Sequence, residues 1–246
     1  MQAIQKARSL IGRRLKPFHE VTVQTAADLI ELAHWTERPA LRLLVPIHLL
    51  RMQGAFTYGP EHPFVAALNN GVESLESFYT AVRPKMITEF YGIADGTRLG
   101  SSLPPWELPW YGRALRTPPP GEHGLSPEHG VSFYGPASAQ KMALEMKRLE
   151  STRADITALG YDPDAYGNIE GYVLRHNDEA CFFVRGGKHR TAALTAMGWT
   201  HIPVAFRSTF PRIVDTSQAE YWPLVRSGKI DINLAREILV LYTRGR

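Results

Sequence analysis

Apolar residues recur at helical spacing through much of the chain. Residues 26–35 and 40–52 read as helices, the second broken at Pro46, whose ring cannot continue the intrahelical ladder. Pro63–Asn70 reads as a short helix, with proline at its first position and Gly71 as its stop. Leu75, Phe78, Tyr79 and Val82 line one side of a helix over 73–82, which Arg83-Pro84 ends. Over 138–159, Met142, Met146, Leu149, Ile156 and Leu159 fall near one face, and Gly160 is the expected C-cap. Residues 170–175 and 180–185 read as strands of a hairpin joined by His176-Asn177-Asp178-Glu179. A helix over 188–197, stopped by Gly198, a strand over 202–206 and a last helix over 232–243 with Asp231 as N-cap complete the pattern.

Residues 103–127 break this regularity, since seven of the 25 are proline. They read as an extended, partly polyproline segment and as the best boundary in the chain. Three parts follow: a helical N-terminal extension over 1–128, a core over 129–210, and a C-terminal helical cap over 211–246. The fold class is α+β with a small mixed sheet.

Composition narrows the function classes. With 246 residues, 44% hydrophobic and 21% charged, the chain is an ordinary globular protein. Its one cysteine, Cys181, rules out a disulfide framework and any zinc site built on two cysteines. The most apolar stretch, residues 41–52, holds Arg42, Pro46, His48 and Arg51 and is too short to cross a bilayer. No secretory leader is read at the start, so a cytoplasmic location is the default. The net charge of +4 is unevenly placed: residues 1–18 carry five basic side chains and no acid, and the other 228 carry 23 basic and 24 acidic ones. That arm reads either as a solvated terminal helix or as an amphipathic segment for an anionic membrane surface, giving a peripheral location.

The segment richest in chemistry is Phe182-Phe183-Val184-Arg185-Gly186-Gly187-Lys188-His189-Arg190-Thr191-Ala192-Ala193-Leu194. Two glycines let the chain turn tightly. Three basic residues then open a helix whose first amides are free donors, which makes an anion site suited to phosphate. The other reading is a solvated turn. The spacing is not that of a Walker loop.

This run, continued through Thr195-Ala196-Met197-Gly198-Trp199 to Ile202-Pro203-Val204, resembles the central motif of the ParB/sulfiredoxin superfamily. The resemblance covers about residues 133–207. It implies a sheet of that superfamily's type and places Gly186, Gly187, Lys188, His189, Arg190 and Thr191 on a nucleotide-phosphate-binding turn. Lys188 stands where sulfiredoxins carry their reactive cysteine, which argues against sulfinic acid reduction. Only about 40 residues follow the core, too few for the DNA-binding and dimerisation parts of partitioning proteins, and the body is not basic. The implied function is that of the superfamily's small-molecule kinases: ATP-dependent transfer, with Mg²⁺, to a small-molecule or carbohydrate hydroxyl. A non-catalytic nucleotide-binding or scaffold protein is the second reading, and nucleic-acid binding ranks last.

Other residues are assigned on that basis. Lys188 neutralises the transferring phosphate and His189 positions it. Glu145, at the margin of the 138–159 stripe, is either a catalytic base or a holder of Mg²⁺, or else the ion-pair partner of Arg148. Trp106 and Trp110 either stack on a substrate ring or pin the extended segment to the core. His62 reads more simply as a cap or packing residue. No cluster has recognisable metal-ligand spacing.

Overall fold

A computed structural model describes residues 19–35, 41–94, 96–111, 125–126, 129–130 and 134–246. The basic arm and most of the proline-rich segment lie outside the described residues, and with them the membrane expectation.

The elements run β1 (His19–Thr22), α1 (Ala26–His34), β2 (Leu41–Pro46), a 3-10 turn (Ile47–Leu49), β3 (Leu50–Arg51), α2 (Pro63–Asn70), α3 (Val72–Ala81), α4 (Ile87–Tyr91), α5 (Ala139–Leu159) and α6 (Pro163–Tyr166). They continue with β4 (Ile169–His176), β5 (Glu179–Gly186), α7 (Lys188–Ala196), β6 (His201–Phe206), β7 (Ile213–Asp215), a 3-10 turn (Thr216–Tyr221), α8 (Pro223–Arg226) and α9 (Ile232–Arg244). The protein is mixed α+β with one 7-stranded sheet in the order β1-β2-β6-β4-β5-β3, β7 pairing with β4. Strand directions are mixed: β1/β2, β4/β6, β4/β7 and β3/β5 are parallel, while β2/β6 and β4/β5 are antiparallel.

Two expectations need correction. Residues 41–51 are strand, 3-10 turn and strand, not helix. Leu41, Leu43 and Val45 alternate on one face of β2, while Arg42 on the other is only 5% exposed. A strand buried on both faces reads as an unbroken apolar run, which periodicity alone cannot separate from a buried helix. The N-terminal extension is likewise not purely helical, because β1, β2 and β3 all join the sheet, and its buried residues belong to the same hydrophobic core as the rest. Only three residues separate β2 from β3, yet β2 pairs with β6 and β3 with β5. The sheet therefore curls back on itself.

What buries Arg42 also shapes the site. Its guanidinium reaches Glu20 at 3.0 Å, Asp164 at 2.5 Å and Asn168 Oδ1 at 3.2 Å, tying β2 to the segment that enters β4. Arg51, 3% exposed, donates to Tyr242 O at 2.8 Å in the last turn of α9, so the negative helix end balances its charge.

The hairpin is as expected, turning at Asn177 with φ 53°, a value asparagine tolerates. Helix α5 starts at Ser138, whose side chain accepts from Lys141 N. Its buried stripe is Lys141, Glu145, Leu149 and Ile156, whereas Leu159 is 68% exposed. The sequence stripe was thus rotated towards two charged residues. No described helix is long and apolar enough to cross a membrane.

Candidate functional site

Strand β5 delivers the chain to Gly187, which has φ 84° and forms the N-cap of α7. A Cβ there would lie 2.9 Å from Ile169 Cγ1, so both the backbone and the packing demand glycine. The first intrahelical bond runs from Thr191 N to Gly187 O, leaving the amides of Lys188, His189 and Arg190 ahead of the ladder. Thr191 Oγ1 also donates to Gly187 O and stiffens the turn.

This first turn borders a cleft of about 580 Å³, within the range of small-molecule sites. Lys188, Arg190 and Arg148 give it a cationic end beside His189. Ile156, Leu159, Tyr161 and Tyr166 form an apolar wall, with Thr152 and Asp155 on the α5 side. Tyr161 is braced edge-on by Trp199, ring centroids 6.1 Å apart.

Helix α5 reaches the turn through Glu145, 3% exposed. One carboxylate oxygen takes Lys141 Nζ at 2.7 Å and faces Arg148 at 3.6 Å. The other accepts from His189 Nε2 at 2.5 Å. Burial pushes Glu145 upward, but the hydrogen bond and charge of His189, reinforced by Lys141, outweigh it and hold the carboxyl well below its ordinary range. Glu145 is therefore ionised with both oxygens engaged. Because the carboxylate can only accept, the Nε2 atom of His189 carries the hydrogen of this bond, and Nδ1 makes no hydrogen bond to a described residue. Phe64 from α2 stacks on the His189 ring at 5.1 Å and 11° and fixes its plane.

Behind Phe64 lies His62, 1% exposed, stacked on Tyr58 at 4.3 Å. Its Nδ1 accepts from Phe64 N at 3.2 Å as the N-cap of α2, which bears out the cap-or-packing reading. Burial, helped by the charge of Lys188, pushes His62 down to about 3. Its folded value thus lies below the ordinary 6.5, so the unfolded chain binds the proton first and stability falls as pH drops from 6.5 towards 3. Protonation would also consume the nitrogen that caps α2. We expect a loss on the order of 3 kcal/mol between pH 6.5 and 4 in chemical denaturation. The variant His62→Asn, which keeps a cap acceptor and does not titrate, should flatten that slope; an unchanged slope would assign the acid sensitivity elsewhere.

Arg190 is committed differently from expectation. Its guanidinium donates to the carbonyls of Tyr166, Gly167 and Asn168, at 3.3 Å for Tyr166 and 3.1 Å for Asn168. Together with Arg42 it clamps the segment that forms the cleft wall. What it can offer an anion is therefore its backbone amide and its charge.

The structure brings together Glu145, Gly187, Lys188, His189, Arg190 and Thr191, with Gly186 closing β5. Trp106 and Trp110 do not border the cleft. Trp110 is 8% exposed, packs against Trp222 and Tyr242, and donates to Tyr172 Oη at 2.8 Å. The carbonyl of Trp106, half-buried, accepts from Gln53 Nε2. Sequence reading missed Lys141, Phe64, Tyr161, Tyr166 and Asp155. Only Lys141 left a signal, its i,i+4 spacing to Glu145.

No group of three or more His, Cys, Asp and Glu side chains among the described residues has the arrangement of a metal site. Among the described residues Asp155 is the one carboxylate lining the cleft, and both oxygens of Glu145 are engaged. These residues do not build a resident Mg²⁺ site. No protein-family model, no curated protein and no solved structure matches the chain.

Proposed function

We propose that the cleft binds the phosphates of a nucleoside triphosphate and that the protein is a phosphotransferase acting on a small-molecule or carbohydrate hydroxyl. The observation that carries this reading is the convergence at one cleft end of a helix N-terminus, Lys188, and a histidine oriented by a buried carboxylate. Phosphoryl transfer asks a protein mainly for positioning and charge neutralisation, and this end of the cleft supplies both. The α7 amides and Lys188 meet the phosphate oxygens, and the apolar wall at Tyr161 and Tyr166 offers faces for a planar base. Glu145 is a positioning residue: it fixes the tautomer and direction of His189 and does not take a proton from the acceptor. Divalent cation enters as the counter-ion of the nucleotide, since the described residues offer it no site of their own.

The resemblance of residues 133–207 to the ParB/sulfiredoxin superfamily supports the same reading. The test is a thermal-denaturation panel of ATP, CTP, GTP and UTP with and without Mg²⁺. A nucleotide at 100 times its Kd is expected to stabilise the protein by about 2.7 kcal/mol. No stabilisation by any of the four at millimolar concentration would overturn the reading.

A further inference from the structure

The arrangement around His189 goes further than orientation. Its Nε2–H is sealed against Glu145 at 2.5 Å, its face is covered by Phe64, and its side chain remains 19% exposed on the cleft lining. Nδ1 makes no hydrogen bond to a described residue. In its neutral form an imidazole held in this way keeps its one proton on Nε2 and a lone pair on Nδ1. Lys188 and Arg148 border the same cleft and supply positive charge there. The chain's single thiol is no rival nucleophile: Cys181 is fully buried on β5, and burial pushes it up to about 12.

We propose that His189 is itself phosphorylated on Nδ1 by a nucleoside triphosphate bound in the cleft, an inference that rests on the nucleotide reading above. The Nδ1 lone pair forms a bond to the γ-phosphorus. The bond from that phosphorus to the β,γ-bridging oxygen breaks, and the nucleoside diphosphate leaves with the electron pair. No proton has to move, because Nε2–H stays on Glu145, whose carboxylate balances the charge that the ring acquires. An acceptor hydroxyl then forms its own bond to phosphorus while the N–P bond breaks and its pair returns to Nδ1. The hydroxyl proton passes to solvent. Lys141 keeps Glu145 ionised throughout and belongs to the same device.

The full chain is incubated with [γ-³²P]ATP and Mg²⁺, and in parallel with ³²P-phosphoramidate, which phosphorylates a reactive histidine without a nucleotide site. Protein-bound label that survives alkali and is lost in acid is expected in both arms. His189→Asn, which can still donate to Glu145, should lose at least nine-tenths of it while keeping the wild-type circular dichroism. Glu145→Gln should slow labelling at least 10-fold while calorimetric ATP affinity changes less than 3-fold, a split that a purely structural role would not produce. ATP binding without label in either arm would overturn the phosphohistidine and leave the nucleotide site standing. Label at full level in His189→Asn would also overturn it. Label on His189 from phosphoramidate, with neither binding nor label from ATP, would uphold His189 as the phosphoryl acceptor and overturn the nucleotide as its donor.

Discussion

Glu145→Leu is expected to destabilise the protein by about 3–5 kcal/mol, because it breaks a buried ion pair in which the Lys141 side chain is only 2% exposed. The loss should far exceed that of a surface ion pair, which is worth about 0–1 kcal/mol. Replacing both members by apolar residues removes the buried charge as well, so Lys141→Met/Glu145→Leu should recover most of the loss in urea denaturation. Additive losses in the double variant would show that the two side chains are not energetically paired. The depressed folded pKa of Glu145 makes its contribution complete above pH 4.5, and it fades only as pH falls towards the folded value. Acid sensitivity above that point should therefore follow His62.

Lys188→Ala is expected to lower kcat for phosphate transfer by about 10²–10³-fold, the scale on which enzymes lose rate when one donor to a developing charge is removed. Lys188 opens α7 next to the amides proposed to hold the phosphates, so its removal should weaken nucleotide binding less, by about 10-fold, than it slows transfer. Fold stability should change little, as its side chain is half-buried at the cleft rim. A fall in kcat no larger than the fall in affinity would assign Lys188 to ground-state binding alone.

How much of this was legible in the chain differs by element. The hairpin, the Gly-Gly turn, α5, α7 and α9 each carry a local period and a local stop signal, and they fold where those signals place them. Strands β2 and β3 do not, because they are buried on both faces and the alternation that identifies a strand is erased. Strand β1 is mostly exposed and only four residues long, so it has little apolar pattern to read. In the site, Gly187, Lys188 and His189 were visible as a contiguous run. The Glu145–His189 bond spans 44 residues and the Phe64–His189 stack spans still more, and such contacts leave no trace in local spacing. Lys141 was hidden for another reason: a lysine beside an apolar stripe ordinarily snorkels to water, and here it is enclosed. Arg190 was legible as a cation but not as the clamp on residues 166–168, since backbone carbonyls as partners have no sequence signature.

If nucleotide phosphates sit against the first turn of α7, isothermal titration of ATP with Mg²⁺ into wild-type protein and Lys188→Ala should reveal it. The account predicts one ATP per wild-type chain and about 10-fold weaker binding by the variant. No heat from the folded wild type at millimolar ATP, or equal affinities in the two proteins, would contradict it.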